Sequence, residues 1–272
     1  MTTAILLRDR GVIEVSGEDA AKFLHNLVTN DIASLKAGEA RYAALLTPQG
    51  KILFDFVVFA LPEDRFLLDC PLSLAADLDQ RLSLYKLRSK ITVANASDRL
   101  EAIAFPDATE RPDVSALALA PDPRSDALGW RALAEKGAID APGPLAAYET
   151  RRIRAGVPQG GADFAYSDAF PHEADMDIFA GLDFKKGCYV GQEVVSRMKH
   201  RNLVRKRVTH YRAPGGAPPP GQSIRAGEVE IGVTGSAVGE EGLALIRLDR
   251  LKDAQEKGDA PMAGGKTLEF PE

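Results

Sequence analysis

The sequence predicts an α+β fold followed by a small β-barrel, and three observations carry that prediction. Strand-like alternation and helix-like periodicity interleave over the N-terminal third of the chain. Residues 212–221 form a Pro- and Gly-rich stretch that no helix can cross. Beyond it only short strand-like runs remain, as in a small closed sheet.

The elements follow in order. Gly11 to Val15 alternates as a strand does. Ser16-Gly17-Glu18-Asp19 reads as a helix start, with Ala20, Phe23, Leu24, Leu27 and Val28 on one helical face and Asn30-Asp31 at the exit. Arg41–Leu46 and Ile52–Phe59 read as paired strands across Thr47-Pro48-Gln49-Gly50-Lys51, where Pro presets one backbone angle and Gly accepts a positive one. Arg65–Cys70 is a further strand. Leu74, Leu78 and Leu82, with Leu84, Tyr85 and Leu87, mark a helix that packs on the sheet, and Ser89–Ala94 returns as a strand. Residues 106–144, rich in Ala, Pro and Asp, read equally as a reduced second subdomain or as a long excursion. Leu145–Arg154 is a short helix closed by Gly156. The division expected is an α+β region over 1–203, irregular at about 100–145, and a β-barrel over 204–272 of roughly 65–70 residues, a common small-domain size.

Composition excludes several classes. With 45% hydrophobic and 27% charged residues in 272, the chain can bury a core. A net charge of −5 argues against a dominant nucleic-acid surface, so direct tRNA binding is not expected. The basic run Lys199-His200-Arg201 and Arg205-Lys206-Arg207 reads as a solvated strand edge, with tRNA binding as its competing reading. No apolar run approaches the ~20 residues that span a bilayer, and Met1–Asp9 lacks the order of a secretory signal. Two cysteines, Cys70 and Cys188, make no disulfide framework, so a reducing cytoplasm is the expected compartment. They are also too few to hold an iron–sulfur cluster, which takes about four thiolates. The four histidines have no metal-ligand spacing, and no resident metal is expected.

The chemistry-bearing stretch is Lys185-Lys186-Gly187-Cys188-Tyr189-Val190-Gly191-Gln192-Glu193. Gly187 and Gly191 permit a tight turn or close approach of a ligand, and two lysines would favour a thiolate at Cys188. Composition leaves open a second reading, a tight turn around a small buried cysteine. Asp55 interrupts an apolar strand on a face it shares with Leu53 and Val57, which makes it a candidate buried acid. Glu173 sits in the loop Phe170-Pro171-His172-Glu173. Arg197 lies four residues after Glu193, placed for a helical ion pair or for clamping a carboxylate.

Lys186-Gly187-Cys188-Tyr189-x-Gly191-Gln192-Glu193 resembles the signature of the YgfZ family, folate-binding iron–sulfur assembly factors related to the glycine-cleavage T-protein, an aminomethyltransferase. Leu24–Ile32, Leu46–Lys51, Tyr85–Ile91, Arg154–Pro158 and Phe170–Glu173 are similar to other stretches of that family. The resemblance implies α+β subdomains around a central tetrahydrofolate pocket, with a C-terminal β-barrel. It places Asp55, Glu173, Arg197 and Asn30 at the folate or its one-carbon unit, and gives Cys188 a thiol role that the T-protein lacks. It further implies a monomeric accessory factor for assembly or repair of iron–sulfur enzymes, including those that modify tRNA. Its partners would be assembly proteins or client cluster enzymes. The alternative is a folate-dependent aminomethyltransferase of the glycine-cleavage type.

Overall fold

The computed structural model describes residues 3–201 and 203–271; Met1 and Thr2 of the N-terminal stretch lie outside them. The chain opens with β1 (Ile5–Leu6), β2 (Arg10–Ser16) and α1 (Ala20–Leu27). The hairpin of β3 (Ala40–Leu46) and β4 (Ile52–Leu61) follows, then β5 (Arg65–Pro71), α2 (Ala75–Lys86) and β6 (Thr92–Asn95). Next come β7 (Leu100–Phe105), β8 (Ala118–Pro121), β9 (Trp130–Glu135) and α3 (Leu145–Arg154). An irregular segment, 155–191, leads into α4 (Gln192–His200). The remainder is β10 (Lys206–Arg212), β11 (Ser223–Ala226), β12 (Val229–Val238), β13 (Glu241–Arg247), α5 (Leu248–Lys257), β14 (Pro261–Ala263) and β15 (Lys266–Thr267).

Three antiparallel sheets result. The first has the order β3-β4-β5-β2-β6. Strand β4 shows why both its faces are covered: Phe54, Phe56, Val58 and Ala60 enter the core beneath α1 and α2, whereas Val57, Phe59 and Leu61 enter a second core on the opposite face. That second core is shared with the sheet β1-β7-β9-β8, which contributes Ala102, Ala104, Ala118, Ala120 and Leu133. Residues 106–144 therefore hold two strands of a second sheet, not an excursion. The sequence left this open because β1 has only two residues, and it joins β7 from nearly a hundred positions away. The last sheet runs β10-β13-β12-β11-β14-β15. Its ends meet where the Arg212 amide donates to the Glu269 carbonyl at 2.9 Å and the Glu269 amide donates back at 2.7 Å, closing a barrel around Tyr211, Ile224, Ile231 and Ile246. Two local details differ from expectation. The final strand of the first sheet begins at Thr92 rather than Ser89, behind a turn in which Leu87 takes a positive φ of 43°. Helix α5, not expected from the sequence, has a weak apolar pattern because only Leu251 and Ala254 of its ten residues are buried.

The barrel is fastened to the rest by a buried guanidinium. Arg152 on α3 donates to the Val157 carbonyl at 2.8 Å, to Asp163 at 2.9 Å and to the Ser236 hydroxyl of β12 at 2.8 Å. Asp163 in turn accepts the Ser236 amide at 2.6 Å. Strand β10 holds the irregular segment directly: Arg207 donates to the His172 carbonyl at 3.0 Å, to Asp175 at 2.7 Å and to Asp177 at 2.8 Å, and the Val208 amide reaches the Glu173 carbonyl at 2.9 Å.

Between the two N-terminal sheets lies a chain of buried charges. Asp69 on β5 accepts from Arg10 on β2 at 2.6 Å and from Arg131 on β9. Arg131 and Arg124 share Asp122, and both donate to the Tyr148 hydroxyl, at 3.1 and 2.9 Å. Burial alone would raise the Asp122 carboxyl, but Arg124 and then Arg131 outweigh it and hold it at about 2. For Asp69, likewise, Arg10 and Arg131 overcome burial and keep the carboxyl below its usual range. A carboxylate held lower in the folded chain stabilises it above the unfolded value of about 3.9. Stability is therefore lost as pH falls from about 4 towards 2, a loss that acid titration of unfolding will show and that Asp122→Asn will reduce. Asp69→Ala strands two guanidinium groups without their partner and is expected to cost about 3–5 kcal/mol in urea unfolding.

Candidate functional site

The segment Lys185–Glu193 folds as an exposed tip between two buried anchors. Lys186 and Tyr189 are buried; Gly187 and Cys188, between them, are exposed. The Lys186 ammonium donates to the carbonyls of Val28 at 2.6 Å and Asn30 at 2.9 Å, and also to that of His25. These groups stand in the last turn of α1 and just beyond it, where helical carbonyls lack intrahelical donors and the helix dipole favours a cation. The lysine is thus a C-terminal cap supplied from about 160 residues away in sequence. Burial pushes its pKa down to about 8, against the pull of Asp31 and Asp183. The expectation that this lysine favours a thiolate at Cys188 is not met, since its ammonium turns inward, with the Tyr189 ring 5.2 Å away.

Neighbouring bonds stitch the approach to this tip. The Thr29 hydroxyl donates to the Gly181 carbonyl at 2.7 Å and accepts the Ala44 amide at 2.9 Å, while the Asp183 amide reaches the Thr29 carbonyl at 3.0 Å. Asn30 donates to the carbonyls of Tyr42 at 2.8 Å and Ala180 at 2.7 Å. After the tip, Gly191 opens α4 with φ of 83°, and a Cβ there would lie 2.6 Å from the Thr47 carbonyl oxygen. Gly50 answers it across the contact, with φ of 81° and Val194 where its own Cβ would be. Two motifs prominent in the sequence, the β3–β4 turn and the cysteine stretch, therefore touch through their glycines.

The two thiols differ sharply. Cys70 is wholly buried on β5, and burial pushes its thiol up to about 12. Cys188 is free and exposed.

The centre of the molecule is arranged otherwise. Asp55, 5% exposed, faces the core between the sheets. One of its oxygens accepts the Tyr42 hydroxyl at 2.9 Å and the other accepts that of Tyr166. Burial, then Asp55 itself, raises both phenols, so each remains a donor. The cavity beside Asp55 measures about 20 Å³ and is walled by Arg10, Arg124, Arg131 and Arg152. That is room for about one water, not for a pterin ring. Arg124 also lines a surface depression of about 520 Å³. Of the residues that the resemblance assigns to folate, Asp55 alone lines the cavity. Asn30 spends its amide on backbone carbonyls, Glu173 accepts the Phe170 amide at 2.9 Å, and Arg197 pairs with Glu193 on the exposed face of α4.

Residues 8–108 match the model of the GCVT N-terminal domain, and residues 205–270 match that of the CAF17 C-terminal beta-barrel domain. The mitochondrial iron–sulfur cluster assembly factor IBA57 of Mus musculus is 32% identical over 286 residues, which cover 92% of this chain and 79% of that protein. The chain belongs to the IBA57 family of iron–sulfur cluster assembly factors. The mitochondrial IBA57 homolog of Pyricularia oryzae is 35% identical over 295 residues, with 94% and 75% covered, and the Homo sapiens factor is 33% identical over 279, with 90% and 78% covered. The fold is also that of the glycine cleavage system aminomethyltransferase T of Bartonella henselae, at a TM-score of 0.75 and 17% identity, covering 99% of this chain and 84% of that one.

Family membership corrects one expectation. The relatives are mitochondrial factors by name, which overturns the cytoplasmic assignment. A low cysteine count reports a reducing compartment without saying which one. Among the described residues no group of three or more His, Cys, Asp or Glu is placed to hold a metal, and no helix is long and apolar enough to cross a membrane.

Burial and thiol pKa together predict selective reactivity. A maleimide is expected to label one cysteine in the native protein and both after denaturation, with Cys188→Ser abolishing the native label. Two labels in the native state would contradict this arrangement.

Proposed function

We propose that this protein acts in iron–sulfur cluster assembly by offering the Cys188 thiolate as one ligand to a cluster that a partner protein carries. The observation that carries the reading is the exposed Cys188, held between the buried anchors Lys186 and Tyr189, in a chain of this family. A cluster takes about four protein ligands, and the second cysteine, Cys70, is sealed in the core. The remaining ligands must therefore come from another chain. The step is a ligand exchange without net electron transfer: Cys188 gives its proton to solvent, its sulfur binds iron, and a ligand already on that iron departs or an open site is filled. Gly187, exposed and without a side chain, leaves room for a partner's backbone to approach the sulfur.

The finer YgfZ-type reading adds folate at the centre and tRNA-modifying enzymes among the clients. It draws its support from the Lys186–Glu193 motif, while the 20 Å³ cavity at Asp55 weighs against a pterin there. The aminomethyltransferase alternative is not favoured, because the sequence relatives are assembly factors and the likeness to aminomethyltransferase T is one of fold.

In a strain lacking the gene, Cys188→Ser is expected to lower the activity of iron–sulfur enzymes about tenfold or more relative to the wild-type protein, given that even changes to groups that only orient a metal's ligands cost about 10–100-fold. Cys70→Ala should restore them. Full restoration by Cys188→Ser would remove the thiol from the mechanism.

A further inference from the structure

The charge of this molecule is unevenly distributed. The chain carries −5 overall, yet residues 185–207 hold eight lysines and arginines against one glutamate. Arg197 and Arg207 are answered by Glu193, Asp175 and Asp177, and Lys186 by backbone carbonyls. Lys185, Lys199, Arg201 and Arg205 are exposed and, among the described residues, take part in no ion pair. Elsewhere among the described residues some exposed arginines are paired, as in Arg99 with Glu135, Arg154 with Glu241 and Arg212 with Glu240, while the exposed Arg8, Arg81, Arg88 and Arg111, which are in no ion pair, are spread along the chain. Unanswered like charges repel one another and weaken the fold, so their clustering points to something outside the chain.

The cluster borders Cys188. Lys185 is three residues before it, and α4 begins four residues after it and is only about 13 Å long. The Lys199 ammonium lies 3.5 Å over the ring of Phe184, on the segment that leads into the cysteine tip. Two exposed apolar side chains, Ile178 at 62% and Leu203 at 43%, belong to the segments that flank these cations in sequence.

We propose that this surface docks the acidic face of the protein that carries the cluster, which brings the cluster to Cys188; the proposal rests on the reading of Cys188 given above. A cluster ligated by thiolates is itself net negative, so cations around the accepting thiol attract both the cargo and its carrier. The exposed Ile178 and Leu203 offer apolar contact, as a protein interface uses. A nucleic acid fits less well. Single strands are held by bases stacked on aromatic faces, but here Lys199 covers Phe184 and Tyr189 is buried. A chain of −5 also repels a polyphosphate as a whole.

The test uses an acidic [2Fe–2S] ferredoxin as probe, titrated calorimetrically against the full chain at rising ionic strength, with bulk tRNA as competitor. The wild type should bind the ferredoxin, and affinity should fall as salt is added. The variant Lys199→Glu/Arg201→Glu/Arg205→Glu, altered only at exposed positions, should lose about tenfold or more while keeping the wild-type Tm. Cys188→Ser should keep the salt-sensitive binding while losing cluster transfer, which separates this proposal from the role of the thiol. Absence of wild-type binding, equal binding by the triple variant, or displacement of ferredoxin by tRNA would each overturn it.

Discussion

A single ammonium group decides where the exposed thiol of this protein stands. Lys186 fills the place at the end of α1 where carbonyls of His25, Val28 and Asn30 have no helical donor, and in doing so fixes the residue two positions before Cys188. A buried cation needs compensation, and three carbonyls at the negative end of a helix supply it without a carboxylate. The consequence is geometric. With Lys186 and Tyr189 both turned inward, the two residues between them have only solvent to face, and Cys188 is one of the two. Gly191 then lets the chain bend against the β3–β4 turn and enter α4.

This places the exposed thiol on the outside of a fold whose relatives in shape include an aminomethyltransferase. The centre, in contrast, is filled. Arg10, Arg124 and Arg131 with Asp69 and Asp122 bridge the two N-terminal sheets, and Asp55 is saturated by Tyr42 and Tyr166. Such a network resists opening, because removing any one charge exposes another to an apolar surrounding. The accessible thiol of Cys188 accordingly lies outside the cavity at Asp55.

Much of the fold was legible because its signals are local. The β3–β4 hairpin announces itself by Thr47-Pro48-Gln49-Gly50-Lys51 between apolar runs, and α1 by its apolar stripe. The second sheet was not, since β1 has only two residues and pairs with β7 across a separation that no local pattern records. The site divides the same way. Cys188 and its glycines stand out as a polar, small-residue cluster, and the Glu193–Arg197 pair follows from helical spacing. The partners of Lys186 are backbone carbonyls, which carry no sequence signature, so its inward turn was invisible. Tyr166 meets Asp55 from 111 positions away, and nothing in the sequence marks it as that partner. Asn30, which the resemblance assigns to folate, donates to backbone carbonyls of β3 and of the 180–183 loop, partners that the sequence does not mark.

Lys186 is the group that positions the thiol, and Lys186→Met tests that role most directly. The variant should still expose one reactive thiol in the native state, showing that Cys70 stays sealed and the chain folded, while iron–sulfur enzyme activity in the gene-deficient strain falls about tenfold or more. Wild-type activity from a folded Lys186→Met protein would contradict it.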